Sequence, residues 1–188
     1  MKLTIRTALM ALVLVLSSQP ASADAYSETL KLFQNAGESG TYFQNCFAYA
    51  VFPNVAKAGL GVGGARGRGR VYANGKPVGD VTLTQLSVGL QAGARAYSEM
   101  IFFEDKRALD EFSSGNFEFD ASIGVVAITA GASASAGSSG ANAAASGGKK
   151  DAATIGQYRR GMVVFVIAKG GLMYEASVAG QKFRYTKR

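Results

Sequence analysis

The sequence predicts an α+β domain: mainly an antiparallel sheet, curled on itself or closed into a half-barrel, with a few short helices. Two observations carry that prediction. From Gly59 onward, runs that alternate with period two are joined by tight-turn residues, as in neighbouring antiparallel strands. Helical spacing is confined to short stretches near the start and the middle of the chain.

The elements follow an export signal. Lys2 and Arg6 precede an apolar stretch from Ala8 to Leu16, and a polar segment closes on Ala21-Ser22-Ala23. This is the plan of a secretory signal peptide, so residues 1–23 are expected to be cleaved and residues 24–188 to form one domain. No cysteine stands where a lipoprotein site needs one. The expected location is periplasmic or secreted, at most peripheral on a membrane. The best apolar run of the mature part, Met162 to Ala168, stops at Lys169 and is too short to span a bilayer.

Asp24 is placed to cap a short helix with Tyr26, Leu30 and Phe33 on one side and a stop at Gly37. A second short helix or irregular stretch runs through Tyr42 to Tyr49 and ends before Pro53. Asn74-Gly75, between Val71-Tyr72 and Val78, predicts a two-residue hairpin. Val81 to Thr84 alternate in one phase and Leu86, Val88, Leu90, Ala92 and Ala94 in the other, which predicts a bulge near Gln85. Met100 to Phe103 reads as a strand. Glu104 to Phe112 reads as a helix with Ala108, Leu109 and Phe112 inward, ended by Gly115. Ile123 to Ile128 is a further strand whose alternation continues through Ala130, Ala132, Ala134 and Ala136, before residues 138–150 become a flexible low-complexity loop. Met162 to Lys169 and Leu172 to Val178 predict a second hairpin about Gly170-Gly171, and Gln181 to Tyr185 a last strand.

The segment richest in chemistry runs from Gly59 to Arg70. As a strand, its odd positions Gly59, Gly61, Gly63, Ala65, Gly67 and Gly69 leave one face almost bare, so another element must approach that face closely. The even positions end in Arg66, Arg68 and Arg70, guanidinium groups about 7 Å apart on one side. With an ordinary hairpin turn, Arg68 would face Val81 and Arg66 would face Leu83, giving a cationic face that is partly apolar and suited to lipid headgroups. The same pattern also describes a solvated strand face. Lys182 and Arg184, alternating with Phe183 and Tyr185, form a second basic row that joins the first only if the strands are neighbours. Gly59, Gly61 and Gly64 match a dinucleotide-binding glycine pattern, but a hairpin follows where that site needs a helix.

Charge and composition narrow the function. The net charge of +7 becomes +5 without the first 23 residues, which carry two cations and no acid. That balance favours anionic partners, and for an exported chain acidic lipid or envelope polymer rather than nucleic acid. The sequence has no histidine, which removes Ser-His-Asp and Cys-His catalysis and the usual zinc sites. Glu99, in an apolar setting, and the pair Glu118 and Asp120 are the remaining acid–base candidates, each with a plainer reading as a buried hydrogen-bonded acid or a solvated turn. No catalytic residue, metal site or cofactor is expected. Cys46, the single cysteine, lies among aromatic residues and is expected to be buried and inert.

Several segments resemble the SYLF-domain family of lipid-binding proteins. They are Val51-Phe52-Pro53-Asn54-Val55-Ala56-Lys57-Ala58-Gly59-Leu60-Gly61-Val62-Gly63-Gly64-Ala65, Leu83 to Ala94, Tyr97-Ser98-Glu99-Met100-Ile101-Phe102-Phe103 and Gly171-Leu172-Met173. The resemblance implies binding to phosphoinositides or other acidic membrane lipids, and actin contact in some members. The family's basic amphipathic N-terminal helix has no counterpart here, because residues 24–45 hold Lys31 against Asp24, Glu28 and Glu38. The expected lipid-binding residues are therefore Lys57, Arg66, Arg68, Arg70, Lys182 and Arg184. The alternative is a structural or interaction module of the cell envelope that binds an acidic protein or polymer.

Overall fold

Three strands of 26, 28 and 26 residues dominate the chain, each several times the length of an ordinary strand. The computed structural model describes residues 21–36, 38–119, 125–128 and 157–188. The elements are α1 (Ala21–Gln34), α2 (Glu38–Asn45), β1 (Ala48–Ala73), β2 (Lys76–Phe103), α3 (Lys106–Phe112), β3 (Asn116–Phe119), β4 (Val125–Ile128) and β5 (Met162–Lys187). The sheet order is β1-β2-β5-β3, and β4 also pairs with β5. All pairings are antiparallel except β4 with β5. The sheet is thus mainly antiparallel, with few and short helices, as the sequence predicts. The expected strand over residues 123–128 is described only from Val125, and the continuation through 130–136, the loop at 138–150 and residues 1–20 of the expected leader lie outside the described residues.

Strands this long fold over. A Cβ built on Gly67 would lie 2.7 Å from Val55 Cγ2, and one on Gly69 2.6 Å from the Phe52 ring. The element that approaches the bare glycine face is therefore the first half of β1 itself. The turn-back centres on Gly61, whose φ of 71° lies in the left-handed region that favours glycine, opposite an irregular stretch of β2 between Val88 and Ala92. We call residues 48–58, 94–103 and 162–171 the first arm, and 64–73, 77–87 and 180–187 the second.

The main core fills the inside of this fold. Inward rows such as Ala50, Ile101 and Val164 on the first arm meet Leu83 and Phe183 on the second. Phe52 and Phe183 rings sit 5.9 Å apart, and Phe112 of α3 closes one end against Phe103 and Phe183 at 4.9 and 5.1 Å. α3 starts where Asp105 accepts a hydrogen bond from the Ala108 amide at 2.7 Å, with Ala108 and Phe112 buried. A second cluster lies on the other side of the first arm, where Tyr26 and Phe33 of α1, with Tyr42 and Phe43 of α2, cover Val51, Met100, Phe102 and Phe165.

Three expectations about strand detail are corrected. Gly170-Gly171 is no turn: β5 runs through both glycines paired to β2, with one irregularity opposite Ala96 and Tyr97. Apolar runs on both sides of the glycines find partners on one long neighbour, and that tertiary pairing overrides local turn preference. There is no bulge at Gln85, where register is unbroken on both sides. The phase of the apolar residues changes because Gln85 and Ser87 turn inward while Leu86 and Val88 stay outside. Finally, Asn74 and Gly75 make the turn with φ of 51° and 72°, but a register shift beside Pro77 moves the pairing by one residue. Arg68 therefore faces Thr82, and Arg66 faces Thr84.

Candidate functional site: a cationic sheet face

That one-residue shift places threonines, not Val81 and Leu83, beside the arginines. On the outer face of the second arm, Arg66, Thr84 and Lys182 form one cross-strand row, and Arg68, Thr82 and Arg184 the next. β2 lies between the two basic strands, so cations of one row stand about 10 Å apart, two strand spacings. The two basic segments identified in the sequence thus share one face. Val81 and Leu83 point the other way and are buried in the core.

The six expected residues do not share one surface. Arg66, Arg68, Lys182 and Arg184 are exposed. Lys182 Nζ pairs with Glu118 at 2.9 Å, whereas Arg66, Arg68 and Arg184 make no ion pair among the described residues. Arg70 is half-buried, 3.7 Å from Asp80, with its guanidinium carbon 4.3 Å from the centre of the Tyr26 ring. It fastens α1 to the seam where the arms of β1 meet. Lys57 belongs to the opposite, inward face: it is buried and stands in register with Arg95. A shallow groove of about 390 Å³ separates the start of α1 from Arg66 and Arg68.

Between the diverging arms, bordered by Arg66, Thr84 and Leu86 of the outer face, lies an open cavity of about 660 Å³. Its walls are mainly small, with Ala56, Ala58, Ala65 and Ala96 beside Lys57, Gln85 and Arg95. Deeper in, Gln181 Nε2 donates to Glu99 Oε2 at 3.1 Å and approaches Gln85 Oε1 at 3.4 Å, which also accepts from the Tyr97 hydroxyl at 3.4 Å. Glu99 is fully buried, and its Oε1 has no hydrogen-bond partner. Burial pushes its carboxyl up to about 8, opposed in part by the Gln181 hydrogen bond, so the acid is neutral in the folded protein near pH 7. The sequence alone shows neither this polar layer nor Arg95, whose inward direction depends on how β1 and β2 are paired.

The other acid–base candidates separate: Glu118 is exposed and ion-paired, and Asp120 lies outside the described residues. Among the described residues no group of three or more His, Cys, Asp or Glu side chains could hold a metal, and no helix is long and apolar enough to cross a membrane. Cys46 is half-buried, and burial raises its thiol pKa.

The molecule is thus a folded-over, mainly antiparallel sheet whose second arm carries an exposed cationic outer face. Residues 84–187 match the Ysc84 family, described as Las17-binding protein actin regulators. The chain belongs to that family, which bears out the SYLF resemblance. It is also similar to beta cell expansion factor A of Aeromonas veronii, with 28% identity over 156 residues, which is 82% of this chain and 51% of that protein. The chain thus spans about half the length of this curated relative. The family is one of binding modules.

Proposed function

We propose that the chain is exported, its leader cleaved after Ala23, and that it binds acidic phospholipid headgroups at a membrane surface without catalysing a reaction. The headgroup contacts fall to Arg66, Arg68, Lys182 and Arg184. One observation carries this reading: two basic segments more than a hundred residues apart in sequence stand in register on one exposed face, separated by threonines that can also donate to phosphate. Arg70 holds α1 in place, and Lys57 serves the inner cavity. Family membership supports a binding role of this kind.

The test is flotation of purified protein with phosphatidylglycerol vesicles. Arg66→Gln, Arg68→Gln and Arg184→Gln together should abolish most of the bound fraction, and unchanged binding would sink the assignment. A second reading, contact with an acidic protein or polymer of the envelope, is favoured by the family's description as binders of a protein. Pull-down of one protein partner by lipid-free material, lost in the same triple variant, would select it.

A further inference from the structure

Along the strands toward the fold-over, the outer face changes character. Val62 lies directly opposite Val88, Leu86 opposite Gly64, and Leu60 opposite Ala92. Leu60 is 83% exposed, Leu86 71%, Val88 66% and Val62 64%. These four side chains cluster on two adjacent strands, whereas exposed aliphatic residues elsewhere are ordinarily scattered singly. They add nothing to the core, whose last members on these strands are Val55, Ala65, Leu83 and Tyr97. Burial of a Leu or Val side chain is a principal favourable term in folding. Folding leaves that unused at four positions.

The cations stand directly behind this apolar bend. Arg66 is four residues from Val62, and Thr84, the row partner of Lys182, is two residues from Leu86. At about 3.3 Å per residue these separations are roughly 7–13 Å. The headgroup layer of one leaflet is roughly 5–8 Å thick, and interfacial elements seat their apolar side about 5–10 Å into the headgroup–acyl boundary. An aliphatic tip followed by guanidinium and ammonium groups at that distance matches the order of layers in a bilayer entered from outside.

We infer that the bend is a membrane-inserting tip. Leu60, Val62, Leu86 and Val88 pass between anionic headgroups into the acyl region while Arg66 and Lys182, with Arg68 and Arg184 behind them, meet the phosphates. The inference rests on the lipid reading above and adds to it an orientation, a depth and four further residues. A second copy is the poorer occupant, since docking two bends face to face would bring the cationic rows of both copies together.

The chain contains no tryptophan, so single reporters are clean. Leu60→Trp and Val88→Trp are placed at the bend, and Lys76→Trp at the far turn as a control. Each is mixed with phosphatidylglycerol vesicles brominated on the acyl chains, and flotation is run in parallel. Both bend reporters should shift to the blue and be quenched at least several-fold more than the control. Protein that floats with vesicles while its bend reporters stay unquenched overturns insertion and leaves headgroup binding standing. Protein that does not float overturns both. A vesicle-independent blue shift that grows with protein concentration, together with a doubled mass, assigns the bend to self-association and overturns the inference as well.

Discussion

The two arms share one sheet and one core, yet their outer faces have opposite fates. On the first arm, Val51, Met100, Phe102 and Phe165 carry apolar groups outward and are covered by α1 and α2. On the second, the same side of the same strands carries Arg66, Arg68, Thr82, Thr84, Lys182 and Arg184 and is left open. A sheet needs one buried face to be stable. The first arm buries two, and the second is free to spend its outer face on a partner.

The largest effect that should break this contrast is stripping the covered face. Phe33→Ala removes a fully buried ring from α1 and should cost about 3–5 kcal/mol in urea unfolding, while the folded fraction keeps its vesicle affinity. Next comes the acid shared between the arms. Glu99 has its folded pKa raised from 4.5 to about 8, so its protonated form is the one the fold accommodates. Its contribution to stability is fully present below about pH 4.5, falls as pH rises and is lost by about pH 8. Glu99→Gln should remove that decline and stabilise the protein by a few kcal/mol at pH 8, read from unfolding midpoints across the pH series. A smaller loss, about 1–3 kcal/mol, is expected for Gly69→Ala, whose new methyl group would meet the Phe52 ring and the Val51 carbonyl. Smallest of all, Arg68→Gln on the open face should shift stability by less than about 0.5 kcal/mol while reducing vesicle binding in flotation. A large loss of stability there would show that the open face is structural after all.

Much of this contrast is visible in the residues. The glycine alternation from Gly59 to Gly69 announces a close approach, and the structure supplies the first half of the same strand. Asn74-Gly75 fixes a turn, and the spacing of Ala108, Leu109 and Phe112 fixes a helix. What sequence does not convey is register beyond the turn. Pro77 has no amide to give the ladder, the pairing slips by one, and the neighbours of Arg66 and Arg68 change from apolar to threonine. The inward polar layer escapes for a related reason. Gln85 and Ser87 look like solvent-facing residues of an alternating strand, and only the folding over of the sheet encloses them beside Glu99, whose burial its apolar neighbours already suggest. Likewise Lys57 and Arg66 look like neighbours in a basic segment but emerge on opposite faces.

Folding over also decides how the molecule treats its own border. β1 is the terminal strand of the sheet, and 26 residues of straight unpaired border would offer a template for another chain to add to. Gly61 breaks that border into two short lengths that turn toward each other, so that Asn54 and Val51 carbonyls lie against Gly67 and Gly69. Tyr26, held by Arg70, lies over the join. The bend that exposes four aliphatic side chains at one end thereby protects the protein from strand-by-strand aggregation along the other.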